Sequence, residues 1–184
     1  MLALRLLSHL ALTWKERLME PNIHRILVPT DFSAPSERAV EYASALAANL
    51  GGSLHLVHVL DRLLSPEMGW ASPAIEAVKM REHLYQESRA KLVALAAKVE
   101  SHAVPASSEV RSGGPSAEII QAAGEHGADL IVMATHGRSG LSHLVLGSVA
   151  EQVIRHARCP VLAMRDGRVR STLGTEEHRT EKVA

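Results

Sequence analysis

Between residues 24 and 165 the apolar positions follow two alternating rhythms: short, nearly unbroken runs, and longer stretches in which they recur every three or four residues. The first run, Arg25-Ile26-Leu27-Val28, halts at Pro29, and its continuous apolar character predicts a strand covered on both faces. Ser33 then offers an N-cap and Pro35 is tolerated in a first turn. Val40, Ala43, Ala47 and Leu50 recur at helical spacing until Gly51-Gly52 ends the helix. Leu54 to Leu60 predicts a second strand. Residues 61–73, with Pro66, Gly69 and Pro73, read as a loop, and Ala74 to about His102 as a long helix rich in Ala, Leu, Lys and Glu. Its stripe of Leu84, Leu92 and Leu95 is assigned to the core.

Ser107 to Val110 predicts a weaker third strand. Gly113-Gly114-Pro115 opens a helix through Ala123, with Gly124 and Gly127 placed beyond its end. Leu130-Ile131-Val132-Met133 is the clearest buried strand. An irregular segment from Thr135 to Leu146 precedes a helix over Ser148 to Arg158 and a closing strand over Pro160 to Met164. This alternation signals βαβ units, hence an α/β fold with a single doubly wound five-stranded parallel sheet, order 3-2-1-4-5, and helices on both faces. In that order strands 1 and 4 are neighbours where the winding reverses, and ligands of such sheets bind outside the carboxyl ends of the strands there.

Composition narrows the function classes. At 184 residues and 46% hydrophobic, the chain suits one domain with a sizeable core, while 3% aromatics argue against a base-stacking platform. Twenty Lys and Arg balance twenty Asp and Glu, so no electrostatic footprint for nucleic acid or an anionic membrane is expected. Cys159 is the single cysteine, which excludes an internal disulfide and reads as a structural thiol in a reducing, cytoplasmic setting. The apolar opening Met1 to Leu12 is broken by His9 and followed by Lys15, Glu16 and Arg17, with no evident cleavage site and no run of about 20 apolar residues. Residues 1–21 are read as an N-terminal extension, 22–166 as the domain, and 167–184 as a polar, disordered tail.

Two loops could carry chemistry. After strand 4 the chain runs Ala134-Thr135-His136-Gly137-Arg138 and on to Gly147-Ser148. Its glycines admit close backbone approach, and the helix beginning at Ser148 offers free amides, a positive dipole end and a hydroxyl to an anion. Neither a Walker A loop nor a G-x-G-x-x-G fingerprint is present, and Gly147-Ser148 also reads as a plain turn and cap. After strand 1, Pro29-Thr30-Asp31-Phe32-Ser33 brings a carboxylate to the same crevice, where Asp31 could meet a ribose, an adenine edge or a phosphate-bound metal, or simply cap the first helix. His55 and His58, three apart on a strand, face opposite ways and cannot share a metal; the other histidines show no zinc-like spacing, so no metal site is assigned.

These segments resemble the universal stress protein family. The similarity is carried by Ile26 to Ser33, Leu56-Val57-His58-Val59, Glu109-Val110-Arg111-Ser112-Gly113 and the stretch from Asp129 to Met164, and it spans residues 24–165. The ATP-binding branch of that family has the hallmark G-x2-G-x9-G-[S/T]. Gly137, Gly147 and Ser148 match it, and Ala134 stands where its first glycine would be. The resemblance implies adenosine contacts at Pro29, Asp31 and Val59, with Thr30 and Met133 alongside. It implies ribose and phosphate contacts at Ala134 and Gly137, and phosphate contacts at Gly147, Ser148 and Val149. His136 and Arg138 lie beside this cradle, Arg138 having the fork that matches oxyanions. If position 134 needs positive φ, its methyl costs about 1–2 kcal/mol.

The resemblance thus implies a stress-linked regulatory protein that binds ATP with Mg²⁺ or Mn²⁺ and pairs as a homodimer through Val161, Leu162, Ala163 and Met164 of the edge strand. Two alternatives stand beside it: a slow ATPase or nucleotidyl-transfer enzyme, for which no base with its orienting partner is evident, and a nucleotide-free structural dimer.

Overall fold

The computed structural model describes residues 23–61, 74–135 and 146–165, with the backbone alone for 74–77. Residues 1–22, 62–73, 136–145 and 166–184 lie outside the described residues, and with them the predicted terminal segments, nearly all of the predicted 61–73 loop, His136, Gly137, Arg138 and His143. Nine elements follow in chain order: β1 (Arg25–Pro29), α1 (Ala34–Leu50), β2 (Ser53–Asp61), α2 (Ala74–Glu100), β3 (Ala106–Gly113), α3 (Pro115–Glu125), β4 (Leu130–Ala134), α4 (Ser148–His156) and β5 (Val161–Met164). All strand pairs are parallel and the order is β3-β2-β1-β4-β5, as the alternation predicts.

The central strands read as unbroken apolar runs because both faces are covered. Alternate residues go to opposite sides. Ile26, Val28, Leu54, Leu56, Leu130 and Val132 meet Val40, Ala43 and Ala47 of α1 and Leu92 and Val99 of α2. Leu27, Val57, Ile131 and Met133 meet Ile119, Ala122 and Ala123 of α3 and Ala150 and Val153 of α4. The result is three layers, two helices on each face of the sheet.

Three local expectations change. Leu84 is exposed rather than core, whereas Leu92 is buried and Leu95 packs against the core from its edge. A helix of 27 residues runs about 40 Å, longer than a nine-residue strand of about 30 Å, so the amino-terminal turns of α2 overrun the sheet. Gly124 falls inside α3, which ends at Glu125, and Gly127 takes the left-handed conformation beyond it at φ 57°. β3 spans eight residues, double the predicted run, because pairing with β2 from Ala106 to Gly113 extends it through polar positions. Cys159 is half-buried and unpaired, and burial pushes its thiol above the ordinary value, as suits an unreactive structural cysteine.

Candidate functional site

β1 and β4 lie side by side, paired at Ile26 with Leu130 and Leu27 with Ile131, so the chain leaves both at the winding reversal. A cleft of about 250 Å³ opens at their carboxyl ends. One wall comes from β1 and its loop, Pro29, Thr30 and Asp31; the floor includes Val59 of β2 and Met133 and Ala134 of β4. The opposite wall is the start of α4, with Gly147, Ser148 and Val149. Every described member of the predicted set therefore borders one cleft. Ser36, Val57, Pro115, Ile119, Thr135 and Ala150 line it too and were not foreseen. Pro115 and Thr135 each follow the carboxyl end of a strand, the signal that could have found them.

The loop after β1 is fixed by a tight local network. The Thr30 amide donates to the Val57 carbonyl at 2.8 Å, the Thr30 and Ser36 hydroxyls meet at 3.0 Å, and the Phe32 amide donates to Thr30 Oγ1 at 3.1 Å. Phe32 adopts φ 61°, a left-handed conformation that costs a non-glycine residue about 1–2 kcal/mol. Packing holds it there: its ring lies 4.5 Å from that of buried His58, whose Nδ1 donates to the Thr30 carbonyl at 2.7 Å. Since a carbonyl only accepts, Nδ1 carries the proton. The turn directs Asp31 so that Oδ1 accepts from the Ser33 amide at 3.1 Å and from the Ser33 hydroxyl. Asp31 thus braces the start of α1 while its side chain borders the cleft.

The start of α4 is built differently. Gly147 occupies the N-cap with φ −62° and ψ 147°, and among the described residues no side chain caps the helix. The first intrahelical bond is from the Glu151 amide to the Gly147 carbonyl at 2.9 Å, so the amides of Ser148, Val149 and Ala150 precede the helical ladder and carry the positive end of its dipole. Glu151 in the first turn is paired with Arg155 at 2.9 Å. The Gly147 amide donates to the Thr135 carbonyl at 2.9 Å, and the Thr135 amide and hydroxyl donate to the Met164 carbonyl at 2.9 and 3.2 Å. Ala134 ends β4 opposite Met164, and the positive-φ residues other than glycine among the described residues are Phe32 and Ala103. Its methyl therefore incurs no left-handed strain, and the conditional cost does not arise.

Comparison with known proteins agrees with this architecture. The Universal stress protein family matches residues 22–165. The chain belongs to that family. Universal stress protein MJ0531 of Methanocaldococcus jannaschii is 36% identical over 142 residues, covering 77% of this chain and 81% of its own. The solved structure of MJ0577, a universal stress protein of the same organism, superposes with a TM-score of 0.70 at 28% identity, over 79% of this chain and 97% of that one. A universal stress protein crystallised in complex with cAMP superposes with a TM-score of 0.57 at 25% identity, over 77% and 96% of the two chains. No helix among the described residues of this universal stress protein is long and apolar enough to cross a membrane.

Proposed function

We propose that this universal stress protein is an ATP-binding regulatory protein of the family's ATP-binding branch, whose cleft at the β1 and β4 ends takes adenosine against Pro29, Thr30, Asp31, Val59, Met133 and Ala134. The phosphates meet Gly147, Ser148 and Val149, with His136, Gly137 and Arg138 joining from the connecting segment. The observation that carries this reading is the uncapped start of α4 facing Asp31 across one cleft. An amide-rich helix end without a side-chain cap among the described residues suits an anion, and the apolar walls suit a base. The cAMP complex of a relative supports an adenine nucleotide as the occupant.

The donor set also fits a nucleotide-borne Mg²⁺ or Mn²⁺, since Asp31 offers a hard oxygen at the cleft; such an ion would bring charge neutralisation of the phosphates. Asp31 is the single ionisable side chain lining the cleft among the described residues, which favours binding and regulation over hydrolysis. β5 lies at the edge of the sheet with all four residues half-buried, and pairing of two copies along it would cover that edge. Titration calorimetry of the full chain with MgATP and with adenosine tests the reading. Tighter binding of the triphosphate is expected. Equal affinity for both would remove the phosphate role of α4.

A further inference from the structure

A second polar assembly lies on the α3 face of the sheet, towards the amino ends of the strands and away from the cleft. Strand alternation brings His55 of β2 and Ser107, Glu109 and Arg111 of β3 to this face, with His55 paired in register to Ser107. His126, the C-cap of α3, stacks over His55. His55 Nε2 lies 3.3 Å and His126 Nε2 3.2 Å from the same Glu109 Oε1, and the three atoms all fall within 4.8 Å of one another. The two imidazoles stack at 3.6 Å with 28° between their planes.

Three features make this more than an ion pair. Ligands about 2.0–2.2 Å from a tetrahedral zinc stand about 3.3 Å apart, the separation found on both sides of Glu109. His55 Nδ1 is 2.8 Å from the Ser107 hydroxyl, whose oxygen can accept a hydrogen bond from Nδ1–H in the tautomer that leaves Nε2 bare for a metal. The carboxylates around the cluster outnumber its cations: Arg111 binds Glu109 at 3.1 Å, Glu118 at 2.8 Å and Glu125 at 2.7 Å, and Arg25 borders the same depression beside His126.

We propose that His55, Glu109 and His126 bind one divalent cation of the zinc type, with the coordination completed by water on the side where His126 is 40% exposed. The site is separate from the nucleotide cleft, and its ligands come from residues 54 and 71 positions apart.

The test uses the full chain stripped of metal with a chelator, without nucleotide, and titrated with Zn²⁺ and with Co²⁺. One tight ion per chain is expected, with visible Co²⁺ absorption of tetrahedral intensity. The surface variants His126→Ala and Glu109→Gln should each weaken binding about tenfold or more. X-ray absorption of the zinc-loaded wild-type chain, which needs no variant, should show two imidazoles and oxygen donors. Absence of a one-to-one ion overturns the proposal. So does undiminished binding in both variants, or a zinc shell holding fewer than two imidazoles.

Discussion

Two helices begin at the same end of the sheet, and their first turns are finished in opposite ways. α1 is closed by its own side chains: Ser33 Oγ accepts from the Ser36 amide at 3.4 Å, the Ser36 hydroxyl returns to the Ser33 carbonyl at 2.9 Å, and Asp31 braces Ser33 from outside. α4 has a glycine in the same position and, among the described residues, no side-chain cap for its amides. Both ends carry the same dipole, so the dipole cannot distinguish them. The cap does. A helix start that supplies its own acceptor is a structural device, while one that withholds it stays receptive to a foreign anion.

The largest effect should come from making α4 resemble α1. Gly147→Asp places a capping carboxylate where the phosphates would sit, at backbone angles that any L-residue adopts. The unliganded melting temperature should stay near wild type, while ATP affinity falls about ten- to hundredfold, equivalent to about 1.5–3 kcal/mol for one lost charge-assisted hydrogen bond. Calorimetry alongside thermal melts checks both halves; unchanged ATP affinity in the folded variant would break the comparison.

The reverse change, Ser33→Ala, opens α1. It should cost about 1 kcal/mol of stability, or about 2–4 °C in melting temperature, because Ser36 loses its acceptor. ATP affinity should move far less than in Gly147→Asp. A loss of affinity as large as that of the glycine variant would show that the two ends do not divide structure from binding.

A third variant lies far from both helix starts and calibrates them. Asp129 Oδ2 accepts from the His24 and Arg25 amides at 3.0 and 2.9 Å; burial pushes its pKa up, but these backbone bonds win and hold it below 3.8. A depressed folded-state pKa contributes stability that is present above the unfolded value and fades as pH falls through the folded one. Asp129→Asn should therefore melt lower than wild type at pH 7, by about 0.5–1 kcal/mol at this exposed position, and converge with it in acid well below pH 3.8. Nucleotide affinity should not change. The smallest effect belongs to Ala134→Gly, which restores the family's glycine. Because Ala134 is unstrained in β4, ATP affinity should shift by about twofold or less.

Most of the fold was legible because the central strands are buried on both faces and punctuated by Pro29, Gly51 and the glycines around α3, so period and boundary signals agree. β3 was read short because Ser107, Glu109 and Arg111 trade apolar periodicity for a polar ladder at the sheet edge. The cleft was legible for a related reason: Asp31 and Gly147 sit at fixed places after strands whose order the alternation dictates. The histidine and glutamate cluster was not, since no short spacing joins His55, Glu109 and His126; the register of β2 on β3 and the length of α3 bring them together.

The chain of backbone bonds from Gly147 to the Thr135 carbonyl, and from the Thr135 amide to the Met164 carbonyl, has an entropic consequence. It ties the first turn of α4 to the β4 and β5 ends, so that turn cannot fray without opening the sheet margin. Ordering of the helix start is then completed during folding rather than at the moment of occupancy, and an anion arriving there meets donors whose configurational freedom is already spent. Amide hydrogens of Thr135 and Gly147 should accordingly exchange together, at the rate at which β5 detaches from β4, in the protein without any nucleotide.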